Sequence, residues 1–68
     1  HVDDYLNVIR DAGNPQEVRV VMAEALGWFT NSVQRPHILE EIKKMQQTAN
    51  LPEDLKAELE QTIKRLSL

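Results

Sequence analysis

Two histidines, His1 and His37, and three adjacent carboxylate pairs, Asp3-Asp4, Glu40-Glu41 and Glu53-Asp54, are the side chains of this 68-residue chain that could move a proton or hold a metal. Neither set has the spacing that such chemistry needs. A helical metal motif of the HExxH type places two histidines one turn apart with a glutamate between them. Here the histidines lie far apart in sequence, and neither has a glutamate for a neighbour. Adjacent carboxylates on a helix point about 100° apart and do not converge on one site, so all three pairs read as solvated faces. His37 follows Pro36 at a helix start and reads as an exposed first-turn residue. The basic residues Arg35, Lys43 and Lys44 could touch phosphate, but Glu40 and Glu41 stand beside them and the net charge is -3. That balance disfavours a partner held by phosphate neutralisation. With no cysteine there is no disulfide and no thiolate metal site, and the redox compartment stays open. The expectation is a chain with no catalytic residue, no cofactor, no metal, no small-molecule ligand and no nucleic-acid partner.

The elements that must position these side chains belong to one small domain. A chain of this length buries only about 60% of the surface that its unfolded form exposes, so its margin of stability is thin. At 41% hydrophobic and 28% charged residues, the composition is that of a globular protein and not of a disordered one. No uncharged apolar run approaches the roughly 18 to 20 residues that span a bilayer. A soluble protein without a membrane partner is expected, its location open with the cytoplasm favoured. The chain opens on His1 and not on methionine, which suggests a fragment of a longer protein.

Four helical segments follow from the spacing of apolar residues, and no stretch alternates with the period of a strand. The first, Val2 to Ala12, gathers Val2, Tyr5, Leu6, Val8, Ile9 and Ala12 on one arc. Gly13 ends it, and Asn14-Pro15 opens the second, with Asn14 as N-cap and Glu17 completing an Asn-x-x-Glu box. The second, Pro15 to Phe29, carries Val18, Val21, Met22, Ala25, Leu26, Trp28 and Phe29 on a wide arc, with small Ala23 and Gly27 and apolar Val20 across much of the other side. A helix apolar nearly all round is expected at the centre of a fold. The third, about Val33 to Thr48, has Pro36 in its first turn and buries Ile38, Leu39, Ile42, Met45 and Ala49. Asn50 or Leu51 then caps a fourth, Pro52 to Leu66, whose narrow stripe of Leu55, Leu59, Ile63 and Leu66 leaves the other faces polar. Glu40 with Lys44 and Glu60 with Lys64 are i, i+4 pairs in the favourable order.

A weak internal repeat runs through these segments. A shift of 37 residues lays Pro15, Val18, Arg19, Met22, Leu26 and Phe29 on Pro52, Leu55, Lys56, Leu59, Ile63 and Leu66. A shift of 33 lays Tyr5, Leu6 and Ile9 on Ile38, Leu39 and Ile42. Helical pairs recurring at such a period characterise α-solenoids.

The stretch "NPQEVRVVMAEALG" resembles the second helix of a HEAT-like repeat of the phycobilisome-lyase type, in which an acidic residue and proline are followed by valine, arginine, alanines and "ALG". Pro15, Val18, Arg19, Ala23, Ala25, Leu26 and Gly27 match that pattern. Asn14 stands in place of the usual aspartate, and Val21 and Met22 are bulkier than the alanines often found there. The second pair keeps Lys56 at the arginine position and lacks "ALG", so it resembles the family only in spacing.

The resemblance implies that Arg19 lies at the edge of its helix and bonds toward the aspartates of the inter-helix turns. Read on its own, Arg19 stands at the margin of the apolar arc, where its stem can pack and its guanidinium can reach a turn carbonyl or Asn14. Gly27, lacking a side chain, lets a neighbouring helix approach closely. Trp28 reads either as half-buried core or as an exposed anchor for a partner.

The fold expected is all-α, two stacked antiparallel hairpins in the manner of a HEAT-like solenoid fragment. Residues 1–31 form the first pair, and residues 32–68 a degenerate second pair ending in a polar-backed cap. The function expected is a non-catalytic protein-interaction or scaffold module. The alternative is an accessory segment of a HEAT-repeat enzyme, a lyase or hydroxylase, whose active residues lie upstream of His1. Tyr5, Val8 and Ala12 have nothing in the chain to cover them, and with Trp28 they form the expected surface for a protein partner or a preceding repeat. Asn14, Arg19 and Gly27 are assigned structural roles.

Overall fold

The computed structural model describes all 68 residues, His1–Leu68. Four helices, α1 (Val2–Arg10), α2 (Gln16–Leu26), α3 (Arg35–Gln46) and α4 (Glu53–Leu66), follow one another with no strand. α1 packs against α2 and α3 against α4, giving two helical hairpins, and the hairpins stack through α1 on α3 and α2 on α4. The fold is all-α, as the apolar spacing implies.

The first turn shows how side chains set the ends of helices. Asp11 is extended (φ -82°, ψ 106°) and its carboxylate accepts the Gly13 N–H at 2.8 Å, a local turn that competes with helix and stops α1 before Ala12. The last carbonyls of α1 therefore need partners from outside the helix. Asn14 Nδ2 donates to the Val8 carbonyl at 3.0 Å, and Arg19 Nε donates to the Ile9 carbonyl at 2.7 Å. Asn14 is consequently not the N-cap of α2. Pro15 occupies that position, its carbonyl accepting the N–H groups of Val18 and Arg19 at 3.1 Å. The Asn-x-x-Glu box fails because Asn14 stands one residue too early and its amide turns back to α1.

Later boundaries follow similar local chemistry. Ser32 Oγ accepts the Gln34 N–H at 3.0 Å, and α3 starts at Arg35 with Pro36 in its first turn, two residues later than Val33. Ala49 falls beyond the end of α3 and is exposed, against the expectation that it is buried. Asn50 adopts φ 65°, the left-handed region that asparagine tolerates, and so turns the chain rather than capping α4. Pro52 takes the cap position.

The buried faces repeat with one period. Val2, Leu6 and Ile9 of α1 each lie 36 positions before Ile38, Ile42 and Met45 of α3. Arg19, Ala23 and Leu26 of α2 lie 36 before Leu55, Leu59 and Thr62 of α4, and all twelve are buried. Shifts of 33 and 37 align the starts of the helices and not their inner faces, because a slip of three residues or of one turns a helix by a net angle of about 60° or about 100°. Both hairpins thus turn equivalent positions into one shared core. Leu66 closes it, while Ile63 and Leu39 are only half-buried.

Candidate functional site

α2 does not bury the face that its composition favours. Its inner face is Arg19, Ala23, Leu26 and the following Gly27, whereas of the wide apolar arc only Leu26 is buried. Val18 and Val21 are exposed, Val21 at 56%, and Met22 and Ala25 are half-buried. Spaced i, i+3, i+4 and i+7, these four make one continuous stripe along the helix. The physical reason is close approach: Ala23 and Gly27 present little bulk, so α1 and α4 pack over them. A Cβ on Gly27 would stand 3.1 Å from Arg65 Cδ of α4. α2 packs on both α1 and α4 and so is central as expected, but it is not buried nearly all round: its Val18 and Val21 side stays open.

Trp28 continues the stripe just past the end of α2 and is 73% exposed, which settles its two readings against half-buried core. Arg65 lies over its ring, with the guanidinium carbon 5.8 Å from the ring centroid, and Glu58 pairs with Arg65 at 3.2 Å. The cation holds an exposed indole in place, an interaction worth about 0.5–1 kcal/mol at such a site.

Tyr5 and Val8 are half-buried and not the bare stripe expected of them. Tyr5 packs edge-on against Phe29 at 6.4 Å between centroids, so α2 takes up part of its surface. Ala12 is exposed but lies in the turn, beyond the helix whose face it was expected to extend. The structure therefore adds Val18, Val21, Met22 and Ala25 to the outer flank of the first hairpin and reduces the share of α1. The signal was present in the sequence as small residues opposite the bulky arc.

The second hairpin contrasts with the first. α4 exposes Lys56, Glu60, Gln61 and Lys64, and α3 exposes His37, Glu40, Lys43 and Lys44. Glu40 pairs with Lys44 at 3.5 Å, whereas Glu60 and Lys64 make no ion pair. Two links cross from α3 to α1, His37 Nε2 to Asp3 at 2.9 Å and Arg10 to Glu41 at 2.7 Å. The Lys44 ammonium, hydrogen-bonded at 3.1 Å, holds the Glu41 carboxyl below the usual carboxylate range, opposed by desolvation and aided by the charge of Arg10. No group of three His, Asp or Glu side chains gathers as metal ligands, and no helix is long and apolar enough to cross a membrane.

What the fold and surface define is an all-α double hairpin with one apolar and one polar flank. Comparison with family models, with curated proteins and with solved structures finds no match to this chain.

Proposed function

We propose that the chain is a non-catalytic, HEAT-like interaction module that docks a further helical hairpin on the outer flank of α1 and α2. The observation that carries this reading is the stripe of exposed Val18 and Val21 with half-buried Met22 and Ala25, continued by exposed Trp28. A contiguous apolar strip on a small protein marks a surface that gains from being covered. Its inner flank is already covered by a helical hairpin, and a second one offers the same complementary ridges and grooves. The polar outer faces of α3 and α4 fit the end of such a stack. The match of Pro15, Val18, Arg19, Ala23, Ala25, Leu26 and Gly27 to the HEAT-like pattern supports the same assignment.

Charge placed on the stripe tests it. In sedimentation equilibrium at rising concentration the chain should self-associate weakly through this flank, and Val21→Glu should remain monomeric with an unchanged unfolding midpoint. A chain that stays monomeric throughout, or a variant that associates equally, would speak against the flank.

A further inference from the structure

Arg19 is 7% exposed and carries a charge without a counter-charge. The one hydrogen bond of its side chain to protein is from Nε to the Ile9 carbonyl, and it forms no ion pair with any carboxylate. The two terminal amino groups remain, a planar fork of donors whose geometry suits a carboxylate. No buried side-chain polar atom lacks a partner, so the unbonded donors of this fork are not sealed in the core. Arg19 is one of the residues lining a cavity of about 30 Å³ where the ends of α1 and α3 meet the start of α4. Arg10 and Thr48, both exposed, and half-buried Leu51 stand around it, with Leu55 and Leu59 among its apolar walls. No acidic side chain lines it.

We propose that this cavity is a carboxylate-binding site, with Arg19 as its charged base and Arg10 and Thr48 at its rim. A guanidinium with both terminal nitrogens free of protein partners gains from an anion that accepts from the two together. The charge of Arg10 is largely engaged by Glu41 at 2.7 Å and by Asn7 at 2.9 Å, so Arg19 provides most of the attraction. The volume is roughly two to three times what one water needs, which suits a carboxylate head group and excludes a sugar or a nucleotide. Such a group could belong to a small free acid or to an acidic side chain of a peptide. The site shares no residue with the uncovered stripe of α2 and does not depend on docking there.

The test follows the Arg19 Nε–H resonance by NMR during titration with sodium acetate, against sodium chloride at equal ionic strength. A saturable shift with acetate, absent or far weaker with chloride, is expected. Blocked Gly-Asp-Gly amide, compared with its Asn counterpart, separates the two sources. Saturation by the aspartyl peptide assigns the site to protein side chains, and saturation by acetate alone assigns it to free acids. Arg10→Gln, which removes the rim charge together with its link to Glu41, should weaken acetate binding by about twofold or more. A shift that is linear in salt and equal for both anions, or no shift at Arg19, would overturn the proposal.

Discussion

Nε of Arg19 donates to the carbonyl of Ile9 at 2.7 Å, so a side chain of α2 closes the end of α1. Ten residues separate the two groups, and the bond sets how the first hairpin folds back on itself. A hydrogen bond from a charged donor contributes about 1.5–3 kcal/mol, and the buried stem adds packing. Arg19→Ala is therefore expected to cost at least about 2 kcal/mol in urea unfolding. Arg35→Ala should cost little, because Arg35 reaches the exposed Thr30 carbonyl only at 3.4 Å. Equal losses would contradict this role of Arg19.

Asn14 offers a sharper distinction. As a donor to the Val8 carbonyl, Asn14→Ala should cost about 1 kcal/mol. Asn14→Asp should cost at least as much, since a carboxylate cannot donate and would face the carbonyl oxygen. A helix N-cap would instead accept aspartate about as well as asparagine. Midpoints in which Asp matches wild type would restore the capping role.

Thr62 is fully buried between α4 and α2, with Oγ1 2.8 Å from the Ala23 carbonyl and 2.9 Å from the Glu58 carbonyl. The hydroxyl has one proton, so these acceptors are alternatives. Thr62→Val keeps the shape and should cost about 1 kcal/mol, whereas Thr62→Ser keeps the hydroxyl and loses a methyl. Thermal unfolding of the two variants checks the assignment. A neutral valine variant would show that the hydroxyl adds nothing to the contact between the hairpins.

Glu41 gives the fold a dependence on pH. Its pKa is lowered in the folded state, first through the Lys44 hydrogen bond, so its contribution is present above the unfolded value and disappears as pH falls through the folded one. Lys44 has the opposite sign: its raised pKa contributes below the unfolded lysine value and is lost as pH rises through the folded one. Glu41→Gln should flatten the acid limb of the unfolding midpoint, below the ordinary carboxylate range, and also weaken the alkaline one. An unchanged acid limb would count against the Arg10-Glu41-Lys44 cluster.

Helix number, helix order and the inner face of α1 are legible in the sequence because Val2, Leu6 and Ile9 keep helical spacing, with Asp3, Asp4, Asn7 and Arg10 marking the opposite side. α2 is different. Its apolar residues surround the helix, so periodicity cannot say which side is covered, and the small volumes of Ala23 and Gly27 decide it. The burial of Thr62 is not legible for a related reason: it is a polar residue beside the expected stripe of Leu55, Leu59, Ile63 and Leu66, and it takes the inner place expected of Ile63. Asn14 marks the turn in the sequence but not the helix it serves, since one residue of register separates a cap on α2 from a partner for α1. Arg19 reads in the sequence as an edge residue reaching turn aspartates, a turn carbonyl or Asn14, and the structure corrects this: it lies on the inner face of α2, bonds the helix-end carbonyl of Ile9 and pairs with no aspartate, because its burial follows only once α3 and α4 pack around it.

The most direct measurement places a photo-crosslinking amino acid at Val21, on the apolar stripe, and separately at Gln61, on the outer face of α4, in the protein within its own cells. Docking through the first hairpin predicts a crosslinked product from position 21 and none from position 61. Crosslinking at both positions alike, or at neither, would contradict an interaction surface on α1 and α2.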